Sequence, residues 1–153
     1  MGDDPRISTH VDAAFAGRVD VAALERLARQ AVVSEGVPAP AELGLVISDD
    51  DTLRDLNRRY RGIDEATDVL SFGLESAEPF VSPPDGVHRL GEVIVSFPAA
   101  ERQAREAGGP LEDELAHLVV HGVLHLLGYN HQQPEEARAM RAREEALLGG
   151  AAH

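Results

Sequence analysis

One run, HLVVHGVLHLLGYNH at positions 117–131, constrains this chain more than any other, and it holds four of the seven histidines. Apolar residues fill the gaps between His117, His121 and His125, so the run reads as a helix with its imidazoles on one stripe. His121 and His125 are i and i+4, and two imidazoles one turn apart can bind the same metal ion. Gly128 is where the helix stops, because glycine accepts a left-handed conformation without penalty. His131 can then swing back as a third ligand. The pattern is H-x-x-x-H-x-x-G-x-x-H, the spacing of metzincin zinc peptidases. His117 lies on the same stripe, but about 12 Å along the axis from His125, and is assigned to the core or to support of the ligands. Reading all of these as satisfied core histidines leaves the third one and the glycine at the turn unexplained.

Three neutral imidazoles and an open position describe a catalytic zinc site better than a closed structural one. The chain has no cysteine, so there is no thiolate to close the site, no disulfide framework and no cysteine nucleophile. Zinc peptidases carry their general base in H-E-x-x-H. Gly122 stands in the glutamate's place and cannot take a proton, which disfavours peptide hydrolysis. Phosphodiester cleavage depends less on a dedicated base, provided that cations neutralise the developing charge.

A chain of 153 residues predicts one domain spanning residues 1–153. The N-terminus carries acids where a signal peptide would carry bases, and no apolar stretch approaches a membrane span. A cytoplasmic protein with no membrane partner is expected. Arg6–Val11 reads as a short strand, Val21–Glu35 as a helix ended by Gly36 and Pro38, and Leu43–Ile47 as a buried strand. A helix capped by Asp49 or Asp50 runs to about Tyr60. Val69–Phe72 and Glu92–Phe97 read as strands, separated by a long loop over 73–89 that contains Pro79, Pro83, Pro84 and Gly86. Helices follow over Pro98–Ala107, from Pro110 through Leu127, and from Pro134 to about Leu148. Four strands alternate with five helices and the C-terminal third is helical. The expected fold is α+β, close to α/β, with a mixed sheet whose order the sequence does not reveal.

All 14 basic residues are arginine, against 27 acidic ones, for a net charge of −13. That balance opposes a broad non-specific nucleic-acid surface, and six aromatic residues give little material for stacking. Four arginines nevertheless fall within Arg54–Arg61. On the expected helix, Arg54, Arg58 and Arg61 share one stripe, beside a core-facing stripe of Leu53, Leu56 and Tyr60. The other reading is an ordinary solvated face whose charge Asp51 and Asp55 offset.

Three segments together resemble one family. HLVVHGVLHLLGYNH resembles the signature of the YbeY-type endoribonucleases, the ribosomal-RNA maturation factors, whose pattern is roughly HGxLHLxGYDH. LNRRYRGIDEATDVLSF resembles their Asn-x-x-Tyr-Arg block followed by Thr-Asp/Asn-Val-Leu-Ser-Phe, and LGEVIVS their Leu-Gly-Asp-Ile strand. The resemblance implies a mixed four-stranded sheet packed with about five helices, one of them a zincin-like metal helix. It implies a single-strand-specific, metal-dependent endoribonuclease acting in 3′-end maturation of small-subunit ribosomal RNA and in ribosome quality control. Its zinc ligands would be His121, His125 and His131, holding one Zn²⁺ or another divalent ion, and Arg61 would be its functional arginine. The chain departs from the family at Asn130, where aspartate is usual, and at Ala66 and Gly73, where proline is frequent.

On this reading Arg61 and His121 are the catalytic residues, Arg61 stabilising the charge that grows on phosphorus. Arg54 and Arg58 steer the strand, and Thr67 and Ser71 line the pocket with Asp68, which has an alternative role as a turn or cap residue. Ribosomal RNA, the ribosome and its proteins are the expected partners, and DNA is not expected. Two alternatives stand beside it. One is another zinc hydrolase. The other is a metal-binding, ribosome-associated factor without nuclease activity, which the acidic charge favours.

Overall fold

The computed structural model describes residues 5–38, 40–73, 87–128 and 134–148. Four strands form one sheet: β1 (Arg6–Val11), β2 (Ala41–Ser48), β3 (Val69–Gly73) and β4 (His88–Ser96). Their order is β1-β2-β4-β3, with β1, β2 and β4 parallel and β3 antiparallel to β4. Among the described residues the α-helices are α1 (Val21–Ser34), α2 (Asp50–Arg61), α3 (Phe97–Ala107), α4 (Leu111–Leu126) and α5 (Pro134–Leu147). The fold is α+β with a four-stranded mixed sheet, as expected.

Alternation along the strands divides the core in two. Leu43, Leu45 and Ile47 of β2 and Val93 and Val95 of β4 face a large cluster fed by α1, α3, α4 and α5. Ile94 and Leu70 point to the other face, where they meet Leu53 of α2, with Val46, Leu56 and Phe72 packed around them. Helix α2 thus covers one side of the β3 edge and α4 the other.

Element boundaries follow local chemistry. Asp49 caps α2 by accepting a hydrogen bond from the Thr52 amide at 2.8 Å. Gly62 ends it in the left-handed conformation, at φ 72°. Strand β4 begins at His88 rather than Glu92, because its backbone pairs with Ala41 and Glu42 of β2 before its apolar run starts. It stops at Ser96, since Phe97 already belongs to α3, which Ser96 caps at 3.2 Å. The expected loop over 73–89 is therefore strand at both ends, and its residues 74–86 lie outside the described residues.

Asp50 ties α2 to α3. It accepts a hydrogen bond from the Ser96 hydroxyl at 2.7 Å and two from Arg102 at 2.8 and 3.3 Å. The Arg102 guanidinium holds the Asp50 carboxyl below the usual carboxylate range, against the opposing effect of burial. A lowered folded value means that this stabilisation is complete above about pH 4 and fades as pH falls below it. Asp50→Asn is expected to cost about 1 kcal/mol at pH 7. Denaturant unfolding of both proteins at pH 7 and pH 3 checks this: the gap narrows at pH 3, and a pH-independent gap contradicts the assignment.

Candidate metal centre and anion pocket

Helix α4 presents its histidines beside its buried face. Leu115, Leu118, Val119, Val120, Gly122, Val123 and Leu124 are buried, His117 and His121 are half-buried, and His125 is exposed. The His121 and His125 rings are nearly parallel, with centroids 6.4 Å apart. Gly122 lies between them in sequence and explains its own identity. A Cβ built there would meet Val93 Cγ1 at 2.5 Å and Val69 Cγ2 at 3.0 Å. The position at which a zinc peptidase carries its glutamate is therefore pressed against the sheet, and no side chain fits it.

The Ser71 hydroxyl donates to the Gly122 carbonyl at 2.8 Å and locks β3 to α4. Its hydrogen is thus committed to the helix, and its oxygen faces the pocket as an acceptor. The pocket, about 570 Å³, is lined by Tyr60, Arg61, Thr67, Ser71, His121 and His125 among others. Asp68 also lines it, while its carboxylate accepts from Gln103 Nε2 at 2.9 Å and its carbonyl accepts from the Ser96 amide at 2.8 Å, which makes it an anchor of β3. Asn57, buried in α2, donates to the Glu65 carbonyl at 3.0 Å and pins the segment leading to Thr67.

The arginines separate. Arg61 is exposed in the pocket wall and forms no ion pair with any described residue. Arg54 makes two hydrogen bonds to Asp64, at 2.8 and 3.3 Å, and Arg58 one to Asp55 at 2.6 Å. Neither lines the pocket. The shared stripe is real, but neighbouring carboxylates hold its first two members on the outer face of α2.

A partner not foreseen from the sequence stands behind the histidines. Glu144 of α5 is buried, and its Oε2 lies 2.6 Å from His121 Nδ1. Its Oε1 lies 3.5 Å from His117 Nε2, and Glu114 approaches His117 Nδ1 at 3.6 Å. Burial pushes the Glu144 carboxyl up, but the bonds from His117 and His121 outweigh it and hold the group at about 2. The Glu144 contact raises the His117 imidazole above its usual value, against burial. An ionised carboxylate only accepts hydrogen bonds, so His121 Nδ1 must carry the hydrogen. The remaining ring nitrogen, Nε2, is then the one with a lone pair for a metal, the arrangement in which a carboxylate orients a metal-binding histidine.

His117, His121 and Glu144 also form a group able to hold a metal, one donor atom from each lying within 4.8 Å of the others. At 2.6 Å, however, His121 and Glu144 are hydrogen-bonded, and two donors of a tetrahedral ion with bonds of about 2.1 Å stand about 3.4 Å apart. The contact is therefore read as support for His121. His117 lies 3.5 Å from the same carboxylate. His131 and Asn130 lie outside the described residues. The signal for Glu144 was available in the sequence: it falls between Met140 and Leu147 on the buried stripe of α5, where a carboxylate requires a partner.

An α+β fold in which His121, held by Glu144, shares a pocket with His125 and with an arginine that has no carboxylate partner among the described residues defines a class: a candidate metal centre open to an anionic substrate. The family model for "Endoribonuclease YbeY" matches residues 12–151. A protein named endoribonuclease YbeY from Roseiflexus castenholzii (strain DSM 13941 / HLO8) is 45% identical over 150 residues, covering 96% of this chain and 94% of that protein. Another so named, from Pelotomaculum thermopropionicum, is 49% identical over 126 residues, covering 82% of each. The solution structure of TM1509 from Thermotoga maritima aligns with a TM-score of 0.58 at 26% identity, over 95% of this chain and 90% of that one. The chain belongs to the YbeY endoribonuclease family.

On the expectation that His121 is a metal ligand, Glu144→Ala is expected to weaken zinc binding about 10- to 100-fold, the usual effect of removing a carboxylate behind such a ligand. Competition against a chromophoric zinc chelator checks it, with Glu144→Gln falling between the two because its carbonyl still accepts from Nδ1. Unchanged affinity in Glu144→Ala would separate the carboxylate from the metal.

Proposed function

We propose that the pocket along β3 is the active site of a single-strand-specific, metal-dependent endoribonuclease, acting in 3′-end maturation of small-subunit ribosomal RNA and in ribosome quality control. The observation that carries this reading is Arg61: an exposed guanidinium, without a carboxylate among the described residues, sharing one pocket with His121 and His125. Membership of the family supports it.

The proposed ligands are His121, His125 and His131, holding one Zn²⁺ per chain, with other divalent ions able to use the same donors. His121 suits this role, since the Glu144 bond at its Nδ1 leaves the other ring nitrogen for the metal. The ion, when bound, supplies Lewis acidity at a phosphoryl oxygen. His121 acts in catalysis by holding it in place. Arg61 donates to the non-bridging oxygens, most strongly as negative charge develops there. Thr67 orients the strand by hydrogen bonds to sugar or phosphate, and Ser71, whose hydrogen goes to the Gly122 carbonyl, accepts from a sugar hydroxyl. Gly122 supplies no base, which sets this site apart from a peptidase. Arg54 and Arg58, each half-neutralised by its aspartate, steer the strand at longer range rather than touch the reacting phosphate.

The net charge of −13 opposes strong affinity for free RNA. Delivery by the ribosome or its proteins, in the cytoplasm, accommodates it. The same charge favours the second reading, a metal-binding ribosome-associated factor without nuclease activity. No described helix is long and apolar enough to cross a membrane.

Cleavage of a single-stranded ribosomal-RNA fragment by the purified protein tests the proposal, beside Arg61→Ala and His125→Ala and with or without chelator. Loss of cleavage in both variants and in chelator is expected, with metal still bound in Arg61→Ala. Absence of cleavage in the metal-loaded wild type favours the second reading, and cleavage retained in Arg61→Ala removes Arg61 from the mechanism.

A further inference from the structure

Three large apolar side chains are exposed among the described residues, Val33, Tyr60 and Ile63, and two of them flank Arg61 in sequence. Tyr60 is the most open of the three, at 67%. It lies in the last turn of α2, immediately before Arg61, and it is not held by the core. Its ring contact is with Phe72 of β3, with centroids 5.3 Å apart and planes inclined at 60°. Phe72 is anchored differently: it is half-buried and packs against Leu53, Leu70 and Ile94. One ring is thus fixed in the fold, and the other leans on it with much of its surface in water. Packing gains little from that exposure, since an aromatic ring contributes stability mainly by leaving water. Both rings line the pocket that contains Arg61, His121 and His125.

We propose that Tyr60, backed by Phe72, is a stacking site for one unpaired nucleobase of the strand whose phosphate meets Arg61. The inference rests on the ribonuclease reading and adds to it how the strand is held. A base has an apolar face and a polar edge, and a ring at the mouth of a polar pocket suits the first while leaving the second hydrated. Adjacency fits the polymer: Tyr60 and Arg61 are consecutive, as are a base and its phosphate along a strand. The site selects for single strands, because a paired base within a duplex keeps both faces stacked on its neighbours. It reads no particular sequence, because every base has a π-face. The two rings replace the broad aromatic platform that the composition lacks.

The test uses the zinc-loaded full chain and short oligoadenylate, followed by fluorescence anisotropy at times short of turnover. Tyr60→Ala is expected to bind oligoadenylate about 5- to 150-fold more weakly, the range contributed by one base on one ring, while Tyr60→Phe stays near wild type. Replacing the strand by an abasic one of the same length is expected to weaken the wild type strongly and Tyr60→Ala much less. That coupling belongs to a base-on-ring contact and not to a general loss of structure. Tyr60→Trp introduces the chain's one tryptophan, whose fluorescence is expected to be quenched by oligoadenylate but not by the abasic strand or by a duplex. Equal binding by Tyr60→Ala, or equal losses on both strands, overturns the stacking site while cleavage through Arg61 stands. Failure of the wild type both to bind and to cleave overturns the ribonuclease reading and the stacking site together.

Discussion

The site depends on how closely α4 lies against the β3–β4 ladder at Gly122. A single Cβ there would come within 2.5 Å of Val93, and relieving it would lift the helix from the sheet. Its neighbours His121 and His125 would then move away from the β3 edge, and the Ser71 bond to the Gly122 carbonyl would stretch. One contact therefore does two things. It sets the histidines opposite the Arg61 side of the pocket, and it removes the side chain on which peptidases of similar spacing rely. Glycine here is a packing requirement with a chemical consequence.

The second determinant comes from the far end of the chain. Burying a carboxylate is unfavourable unless charge and hydrogen bonds compensate it. Glu144 sits among the buried residues of α5 with Met140 and Leu147, and His117 and His121 supply the compensation. Docking of α5 thus fixes which nitrogen of His121 is protonated. His117 and Glu144 also line a separate groove of about 700 Å³ on the side of α1, α3 and α5, whereas His121 and His125 line the β3 pocket. The row of imidazoles bridges the two, and only its last two members face the arginine.

What was legible in the sequence was local. Arg6–Val11 and Val69–Phe72 read correctly because each is a short extended run between breakers, and α2 because an aspartate, Asp49 or Asp50, stands where its cap is needed, whereas Gly62, which ends it, was not singled out. The helical spacing of His117, His121 and His125 was unambiguous. The sheet order was not legible, since β2 pairs with β4 across some forty intervening residues and no local pattern encodes that choice. Nor was the start of β4, where polar His88 and Arg89 are drawn in by backbone pairing. The place of Glu144 on the apolar stripe of α5 was readable, but its partners His117 and His121 were not, because they meet it only when α5 packs against α4. The spacing of Arg54, Arg58 and Arg61 along α2 was readable, but which of them lacks a carboxylate partner among the described residues depends on Asp55 and Asp64 nearby. Resemblance to the family singled out Arg61, and geometry supplies the physical distinction.

The central claim is that a carboxylate on α5 sets the histidine face of α4 to receive a metal. Long-range ¹⁵N–¹H correlation of the imidazole rings at neutral pH measures this directly. In the zinc-loaded protein a hydrogen on Nδ1 of His121 is expected, with a zinc-induced shift at its Nε2 and a parallel change at His125. A hydrogen on Nε2 of His121, or zinc-induced shifts confined to His117 and the Nδ1 side of His121, would contradict it.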